Sequence, residues 1–268
     1  MKGLIAGATL TGLMLLTAAL SLIWLPYDIT VFDIAGRFQP PGAAHLFGTD
    51  QYGRDVLALV MNGAQTAVSV SFLAVGLGMG VGVPLGLLAA AHEGWVSSVI
   101  LRGNDVIFAF PALLLAVLIS AVRGPGVVNA VIAVGVFNIP VFAQLTRGAA
   151  RSLWQRDFVR AAQTLGKGKW RVSIDHILPN IAGILIIQAT IQIALAIAAE
   201  AALSYIGIGA QSPTASWGRM LQEAQTLFGY APWLLIFPGL AILLSVFGLT
   251  LLGDSLRTRL DPQQRRYA

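Results

Sequence analysis

Residues 147–180 read RGAARSLWQRDFVRAAQTLGKGKWRVSIDHILPN, a basic stretch that lies between two long apolar segments. The stretch holds seven of the 17 Lys and Arg residues of the 268-residue chain. One basic residue at the centre of a bilayer costs about 2.5–3.5 kcal/mol, so seven would cost on the order of 20 kcal/mol. The stretch must therefore lie in water, and so large an excess of Lys and Arg predicts the cytoplasmic side of a membrane.

The middle of this stretch has the pattern of an amphipathic helix. Apolar residues recur there at steps of four, three and four, which places them on one helix face. These residues are Trp154, Phe158, Ala161 and Leu165. Arg156 and Arg160 fall on the opposite face, and Gly166 stands where a left-handed turn would end the helix. A water-exposed helix with an apolar face, joined at both ends to membrane spans, predicts a docking element for another protein.

Composition assigns the chain to the integral membrane proteins. Apolar residues make up 56% of the chain and charged residues 11%, more apolar surface than a soluble domain of this length could carry. The excess of basic residues does not indicate a nucleic-acid partner, because these residues cluster at the ends of apolar segments, where orientation in the bilayer explains them. The chain has no Cys, which excludes disulfides, thiolate catalysis and Cys-based metal sites.

The apolar segments predict an all-α protein with about six transmembrane helices. One charge-free run, 56–91, exceeds the roughly 20 residues of a single span, so its first part up to about Ala67 is interpreted as an interfacial helix. The predicted spans are 3–25, 67–91, 105–122, 127–146, 181–203 and 233–252. Residues 1–55 would form the first span and an outer, periplasmic segment. Residues 56–268 would form the main transmembrane domain, with the loop 147–180 in the cytoplasm.

Small residues predict where the spans pack closely. Glycines of the second span form three small-xxx-small pairs, at 76/80, 78/82 and 82/86, which would let a neighbouring backbone approach. Prolines at positions 84, 111, 140 and 238 are expected to kink spans or to mark their ends.

The distribution of charge predicts the orientation. With the N-terminus inside, 13 Lys and Arg residues are cytoplasmic, including Arg265 and Arg266, and four are external. This asymmetry predicts that both termini are cytoplasmic. A cleaved signal peptide is the alternative for the first segment, since Lys2 and the run Thr17-Ala18-Ala19 imitate its parts. The 23 apolar residues of 3–25 exceed the 7–15-residue core of such a signal, which favours a retained span.

The central loop resembles a motif of the permease subunits of ATP-binding-cassette importers. Its residues run from Arg160-Ala161-Ala162 through Gly166 to His176-Ile177-Leu178-Pro179, where the family pattern is Glu-Ala-Ala…Gly…Ile-x-Leu-Pro. The resemblance implies a short coupling helix that sits in a groove of a cytoplasmic ATPase. Its Ala residues would let the helix sink close to that partner, and Gly would permit the sharp reversal that follows. The chain departs from the pattern at Arg160, which replaces Glu, and at His176, which replaces Ile.

Two further stretches resemble one branch of this family. The run His45-Leu46-Phe47-Gly48-Thr49-Asp50, followed by Gly53-Arg54-Asp55, is similar to a signature of the second permease subunit of dipeptide, oligopeptide and nickel importers. Segments near the C-terminus, among them Ser216-Trp217-Gly218-Arg219 and Leu260-Asp261-Pro262, match the same branch. The resemblance implies a heterodimer with another permease subunit, ATPase subunits and a periplasmic substrate-binding protein. From the residues themselves, we also expect a local ion-pair and turn structure, because Asp50 and Asp55 flank Arg54 in a segment with two Gly; a solvated loop is the alternative.

Polar residues of the fifth span are the candidates for contact with a transported solute. Glu200 is the one carboxylate of that span, near its outer end, where contact with substrate and structural hydrogen bonding are both open. Gln188 and Gln192 share a helix face, where they could line a path or bond to a neighbouring helix.

Three classes of function were weighed, and a transporter subunit without chemistry of its own is favoured. The sequence has no Gly-x-x-x-x-Gly-Lys phosphate loop, so a partner must supply the energy. An intramembrane enzyme is disfavoured because His45, His92 and His176 all lie in predicted loops and no acidic pair shares a span. A carrier driven by an ion gradient is disfavoured because no charged residue falls near a predicted midplane. No cofactor or metal is expected. Peptides are favoured as cargo, with nickel or a nickel chelate as the alternative.

Overall fold

The computed structural model describes residues 2–260, and its regular structure there is helical. The α-helices are α1 Lys2–Ser21, α2 Val56–Ala91, α3 Trp95–Phe108, α4 Ala112–Arg123, α5 Val127–Trp154, α6 Asp157–Thr164, α7 Lys169–Val172, α8 Leu178–Tyr205, α9 Trp217–Ala224 and α10 Trp233–Leu260. A π-helical turn, Ser173–Ile177, leads into α8. The predicted motif residues Asp261 and Pro262, and the predicted cytoplasmic Arg265 and Arg266, lie outside the described residues.

Five helical segments are long and apolar enough to cross a membrane, and a bent pair brings the number to as many as six. The five are α1, α2, α5, α10 and the stretch Lys169–Tyr205 that ends in α8, and the bent pair is α3 with α4. The all-α membrane architecture predicted from composition is confirmed.

Helix α2 runs without a break through all of its 36 residues. Its length of about 54 Å, at 1.5 Å per residue, exceeds the roughly 30 Å of a hydrocarbon core. The predicted interfacial helix is therefore the first three turns of one long helix, fixed at its start by Asp55, whose side chain accepts a hydrogen bond from the Ala58 amide at 2.8 Å.

Helices α2 and α5 pack closely and run parallel. A Cβ atom at Gly78 would lie against Asn138, one at Gly82 against Phe142, and one at Gly86 against Thr146. Residue numbers therefore increase in the same direction along the two helices, so the helices run parallel. The predicted pairs 78/82 and 82/86 form this contact, whereas Gly76 and Gly80 of the third pair face open space.

The predicted third span, 105–122, contains a bend, as expected for the proline at position 111. The structure divides it into α3 and α4, which meet at a bend of 79° around Ala109–Pro111. Pro111 has no N–H to donate and disfavours helical backbone at the residue before it, so the helix ends there. Because α5 runs parallel to α2, the chain must return between them to the end at which α2 began. We therefore interpret α3 and α4 as one broken crossing.

Two groups of contacts define the two ends of the bundle. At the "α9 end", the segment 22–55 packs on the start of α10, where the Trp233 indole donates to the Thr49 carbonyl at 3.1 Å and Phe47 stacks on Phe237 at 3.9 Å. The opposite "α6 end" carries the segment 155–177. A core of buried apolar residues, including Phe142, Ile177 and Leu185, joins α2, α5 and α8 between the two ends.

Candidate functional site

Helix α6 and the turns after it form the candidate site at the α6 end. Trp154 is the last residue of α5, and Arg156 takes an extended conformation with ψ of 146° before α6 begins at Asp157. The prediction of one helix running from Trp154 to Leu165 is therefore corrected, because this extended residue redirects the chain. Trp154 is half-buried in the core. Of the predicted apolar face, only Phe158 and Ala161 belong to α6.

The two apolar faces of α6 have different surroundings. Val159 and Ala162 are buried, at 0% and 6% exposure, and pack in the core with Val172 and Ile177. Phe158 is 45% exposed and Ala161 is exposed. The interpretation of Ala162 as a residue that faces a partner is thereby corrected, since this methyl group anchors α6 to its own bundle. The surface left for a partner is Phe158, Ala161 and Leu165, the last with 83% exposure.

Gly166 ends α6 in the left-handed conformation that the sequence indicates, with φ of +82°. The Gly166 amide donates to the Gln163 carbonyl at 2.9 Å, and the Lys167 amide donates to the Ala162 carbonyl at 3.2 Å. This pair of bonds is the Schellman arrangement, which satisfies carbonyls that have no partner inside the helix. The turn fixes the angle at which the chain leaves α6.

Lys167 braces this turn against the π-helical turn that precedes α8. Its ammonium group lies 3.1 Å from an Asp175 carboxylate oxygen and donates to Nε2 of His176 at 3.0 Å. An ammonium group only donates, so Nε2 of His176 is the acceptor nitrogen in this bond. Pro179 stands exposed in the first turn of α8, where a missing N–H is tolerated. The departure of His176 from the family pattern thus has a local role, as an acceptor for Lys167.

Basic side chains surround the exposed face of α6. The exposed set is Arg156, Arg160, Lys169 and Arg171. Within the described residues, Arg160 forms no ion pair, so Arg at the position of the family Glu leaves an unpaired positive charge on the surface of α6.

Glu200 has a structural environment near the end of α8. It is 1% exposed, and its Oε1 accepts hydrogen bonds from Ser204 at 2.7 Å and Ser216 at 2.8 Å. Ser216 precedes α9, so the carboxyl group connects α8 to the outer loop. Gln192 is buried and Gln188 half-buried, and neither has a hydrogen-bond partner within the described residues. The structure does not bring these three side chains into one cluster with each other.

An ion-pair network occupies the α9 end. Arg54 contacts Asp50 at 2.6 Å, as its sequence position predicts, and also reaches Glu223 of α9 at 3.4 Å. Asp55 has a separate role, because it caps α2 and lies 2.8 Å from Nδ1 of His45. Glu223 is about 170 residues away along the chain, so no local pattern could indicate its role here.

Comparison with known proteins places these features in context. Residues 82–266 match the family described as binding-protein-dependent transport system inner membrane component. The chain is 40% identical to the dipeptide transport system permease protein of Alkalihalophilus pseudofirmus, over 86% of this chain and 76% of that one. It is 41% identical to the glutathione transport system permease protein of Escherichia coli, over 96% of this chain and 85% of that one.

A solved structure has the same fold. An inward-facing structure of the MetNI methionine ABC transporter superimposes on the chain with a TM-score of 0.63. The match covers 76% of this chain and 97% of that one, at 16% sequence identity. At this identity the likeness supports the arrangement of helices.

Proposed function

The chain belongs to the binding-protein-dependent transport system inner membrane components, and on that premise we propose that it forms half of the translocation path of an ATP-driven peptide importer. A second permease subunit would form the other half. Cytoplasmic ATP-binding-cassette subunits would drive the transport cycle, and a periplasmic substrate-binding protein would deliver the cargo. The α6 end would face the cytoplasm, with both termini on that side.

The exposed face of α6 is the observation that carries this proposal. An isolated helix of eight residues is not stable in water, so α6 depends on Val159 and Ala162 for its position. The same anchoring leaves Phe158, Ala161 and Leu165 uncovered at the end of the bundle. A rigidly held apolar face is suited to transmit movement, because a displacement of α6 moves the buried residues that join it to α5 and α8.

The energy for the transport cycle would enter at this face. A change from a 1:99 to a 99:1 distribution between two conformations requires about 5.5 kcal/mol of differential binding. The chain has no phosphate-binding loop of its own, so we assign this contribution to the ATPase partner.

Peptides are the proposed cargo. The relatives described above are named for dipeptide and glutathione transport, and glutathione is itself a tripeptide. These names favour a peptide over nickel or a nickel chelate. The substrate-binding protein would make the selection, since it captures the solute before the permease does.

Substitution at the exposed face tests the coupling assignment. We expect Phe158→Asp, in the complete four-component transporter, to abolish uptake of dialanine and S-methylglutathione while the chain remains at normal abundance in the membrane. Phe228→Asp is the matched control, because Phe228 is 61% exposed next to α9 at the opposite end. Normal uptake by the Phe158→Asp transporter would refute the role of α6.

Reconstitution of the chain alone separates the proposal from a carrier driven by an ion gradient. We expect no peptide uptake into vesicles that contain only this chain, with or without a proton or sodium gradient. Uptake should require the partner permease, the ATPase, the binding protein and ATP together. Uptake by the single chain without ATP would establish the carrier instead.

A further inference from the structure

A cavity with a volume of about 470 Å³ opens near the α9 end of the bundle. It lies between the first third of α2, the start of α5 at Val127, the loop residues Pro213 and Thr214, and the outer residues Ile29 and Thr30. The volume falls within the range of about 300–1,000 Å³ that is typical of small-molecule sites. None of the residues that line it is charged.

One face of α2 supplies the polar side chains of this cavity. Asn62, Gln65 and Ser69 are spaced by three and four residues, so they lie in a row along the helix. Asn62 and Gln65 are half-buried, and Ser69 is exposed to solvent. At 1.5 Å per residue, the row begins about 9 Å from the start of α2 at Val56 and ends about 20 Å from it.

The hydrogen-bonding capacity of this row is largely unused. The Asn62 amide approaches Gln65 Oε1 at 3.4 Å, and Ser69 has no hydrogen-bond partner within the described residues. The other hydroxyl groups around the cavity include two that are engaged. Thr66 donates to the Ala215 carbonyl at 2.7 Å, and Thr30 donates to Asp28 at 2.6 Å.

These engaged threonines hold the walls of the cavity in place. The Thr66 bond fixes the loop that carries Pro213 and Thr214 against α2. Hydrogen bonds from the Thr30 hydroxyl and then from its backbone amide lower the pKa of Asp28, and these two bonds connect Asp28 to Thr30 across the turn. The walls are therefore held by the protein, while Ser69 and the remaining donors and acceptors of the Asn62 and Gln65 amides stay available.

We propose that this cavity is a binding site for the amide backbone of the transported peptide, with Asn62, Gln65 and Ser69 as its hydrogen-bonding residues. The proposal rests on the function proposed above and names the part of the chain that meets the cargo at the α9 end.

The chemistry of the row matches that of a peptide bond. A carboxamide side chain offers both a donor and an acceptor, as does each peptide group of the cargo. An uncharged lining binds the backbone without selecting among charged side chains. The row therefore suits a permease that accepts whatever its binding protein delivers.

Protection of an introduced cysteine tests the proposal directly. The chain has no Cys, so Ser69→Cys supplies a single thiol in the row. The assembled transporter, in nanodiscs with binding protein and ATP, is treated with a maleimide, and labelling is followed on this chain alone. The probe is whichever of dialanine and S-methylglutathione the wild-type transporter imports. At ten times its half-saturating concentration, we expect labelling of Ser69→Cys to slow about tenfold.

Gln222→Cys is the matched control, because Gln222 is exposed on α9 outside the cavity, and its labelling should not respond to the probe. Equal labelling of Ser69→Cys with and without probe, in a complex that imports the probe, would overturn the site but not the proposed function. Failure of the wild-type complex to import either probe would overturn the proposed cargo and this site with it. A thiol that is unreactive in the assembled complex, even without probe, would show that a partner subunit covers the cavity, and would also overturn the site.

A second variant adds a functional measurement. We expect Gln65→Leu, which removes the donor and acceptor while keeping the side-chain size, to lower the uptake rate at saturating peptide and normal abundance about 2- to 12-fold. The half-saturating peptide concentration should change little, because the binding protein sets it. Gln222→Leu, the same replacement outside the cavity, should leave both quantities unchanged. An unaltered saturating rate in Gln65→Leu would contradict the proposal.

Discussion

At the residue scale, the buried carboxyl group of Glu200 joins the end of α8 to the segment before α9. Two serine hydroxyl groups, from Ser204 and Ser216, donate to the same oxygen, while its second oxygen has no partner within the described residues. The Ser204 oxygen also accepts a hydrogen bond from the Ala210 amide at 2.9 Å. One carboxyl oxygen therefore fixes both the end of α8 and the loop that leads to α9.

Replacement of Glu200 separates hydrogen bonding from charge. Glu200→Gln retains an acceptor for both serines, so we expect near-normal thermal stability and uptake. Glu200→Leu leaves two buried hydroxyl groups without an acceptor, at a cost of about 1–3 kcal/mol each, and should lower the melting temperature of the purified complex. Loss of uptake in the Gln variant, at normal stability, would instead indicate that the negative charge contacts substrate.

Gly166 is a second position where one residue type is required. Its φ of +82° disfavours any side chain, and a branched one most. We expect Gly166→Val to shift the end of α6 and to lower uptake strongly, because the Schellman turn and the Lys167 brace both depend on this conformation. A Cβ at Gly166 would meet no neighbour, so the effect would come from the backbone alone.

Gly168→Val is the control for this substitution. Gly168 lies two residues away in open space, with φ of −65° and ψ of 154°, which valine adopts readily. Uptake and ATP hydrolysis by the reconstituted transporter measure both variants. Equal effects at the two positions would contradict the assignment of the turn.

At the element scale, the parallel pair of α2 and α5 determines the course of the chain. Their contact is formed by glycines on one side and by Asn138, Phe142 and Thr146 on the other. Since both helices run in the same direction, α3 and α4 together must cross back, although neither is long enough alone. The bend at Pro111 therefore lies within a crossing.

Substitution of Gly82 tests this packing. A Cβ at Gly82 would lie 2.9 Å from Phe142 Cβ and 3.1 Å from the Ala143 nitrogen, so Gly82→Leu must force the helices apart. We expect a loss of stability of about 1–3 kcal/mol or more, seen as lower membrane abundance and a lower melting temperature. Gly80→Leu, which enters open space on the same helix, should be tolerated. Comparable damage from both would place the helix contact elsewhere.

At the scale of the whole molecule, the two ends of the bundle divide the tasks of the transporter. The α6 end presents a basic surface with an apolar helix face, and the α9 end presents the network of Arg54, Asp50 and Glu223 beside the polar cavity. In the proposed function, the first end would meet the ATPase and the second would meet the binding protein. Long helices join the ends, so a displacement at one end can reach the other.

Sidedness of introduced thiols tests both the orientation and the broken crossing. Glu93 precedes α3 and Arg123 ends α4, and both side chains are exposed. We expect Glu93→Cys to react with a membrane-impermeant reagent only from the cytoplasmic side, and Arg123→Cys only from outside. Labelling of both from the same side would make α3 and α4 a re-entrant hairpin. A reversal of both sides would invert the proposed orientation.

The sequence alone determined which parts of the chain are apolar enough to cross a membrane and where the basic loop between them lies. Runs of apolar residues and the cluster of basic residues in 147–180 indicate these features directly, because the cost of placing charge in lipid is large and local. The left-handed conformation of Gly166 and the pairing of Arg54 with Asp50 could also be predicted from the sequence, since both depend on residues that are close in the chain. Helix periodicity correctly predicted an apolar face near Phe158 and Leu165.

Only the tertiary structure decided which face of α6 is free and which partner Asp55 takes. Ala161 and Ala162 are the same residue type in adjacent positions, and their opposite exposure depends on the core that Val172 and Ile177 bring from later in the chain. Glu223 reaches the network around Arg54 through folding of a distant segment. The cavity along α2 is formed by four separate parts of the chain, so no local pattern could reveal it. The cost of placing a segment's own residues in lipid determines whether that segment can enter the membrane. Contacts between distant residues determine which surfaces remain exposed.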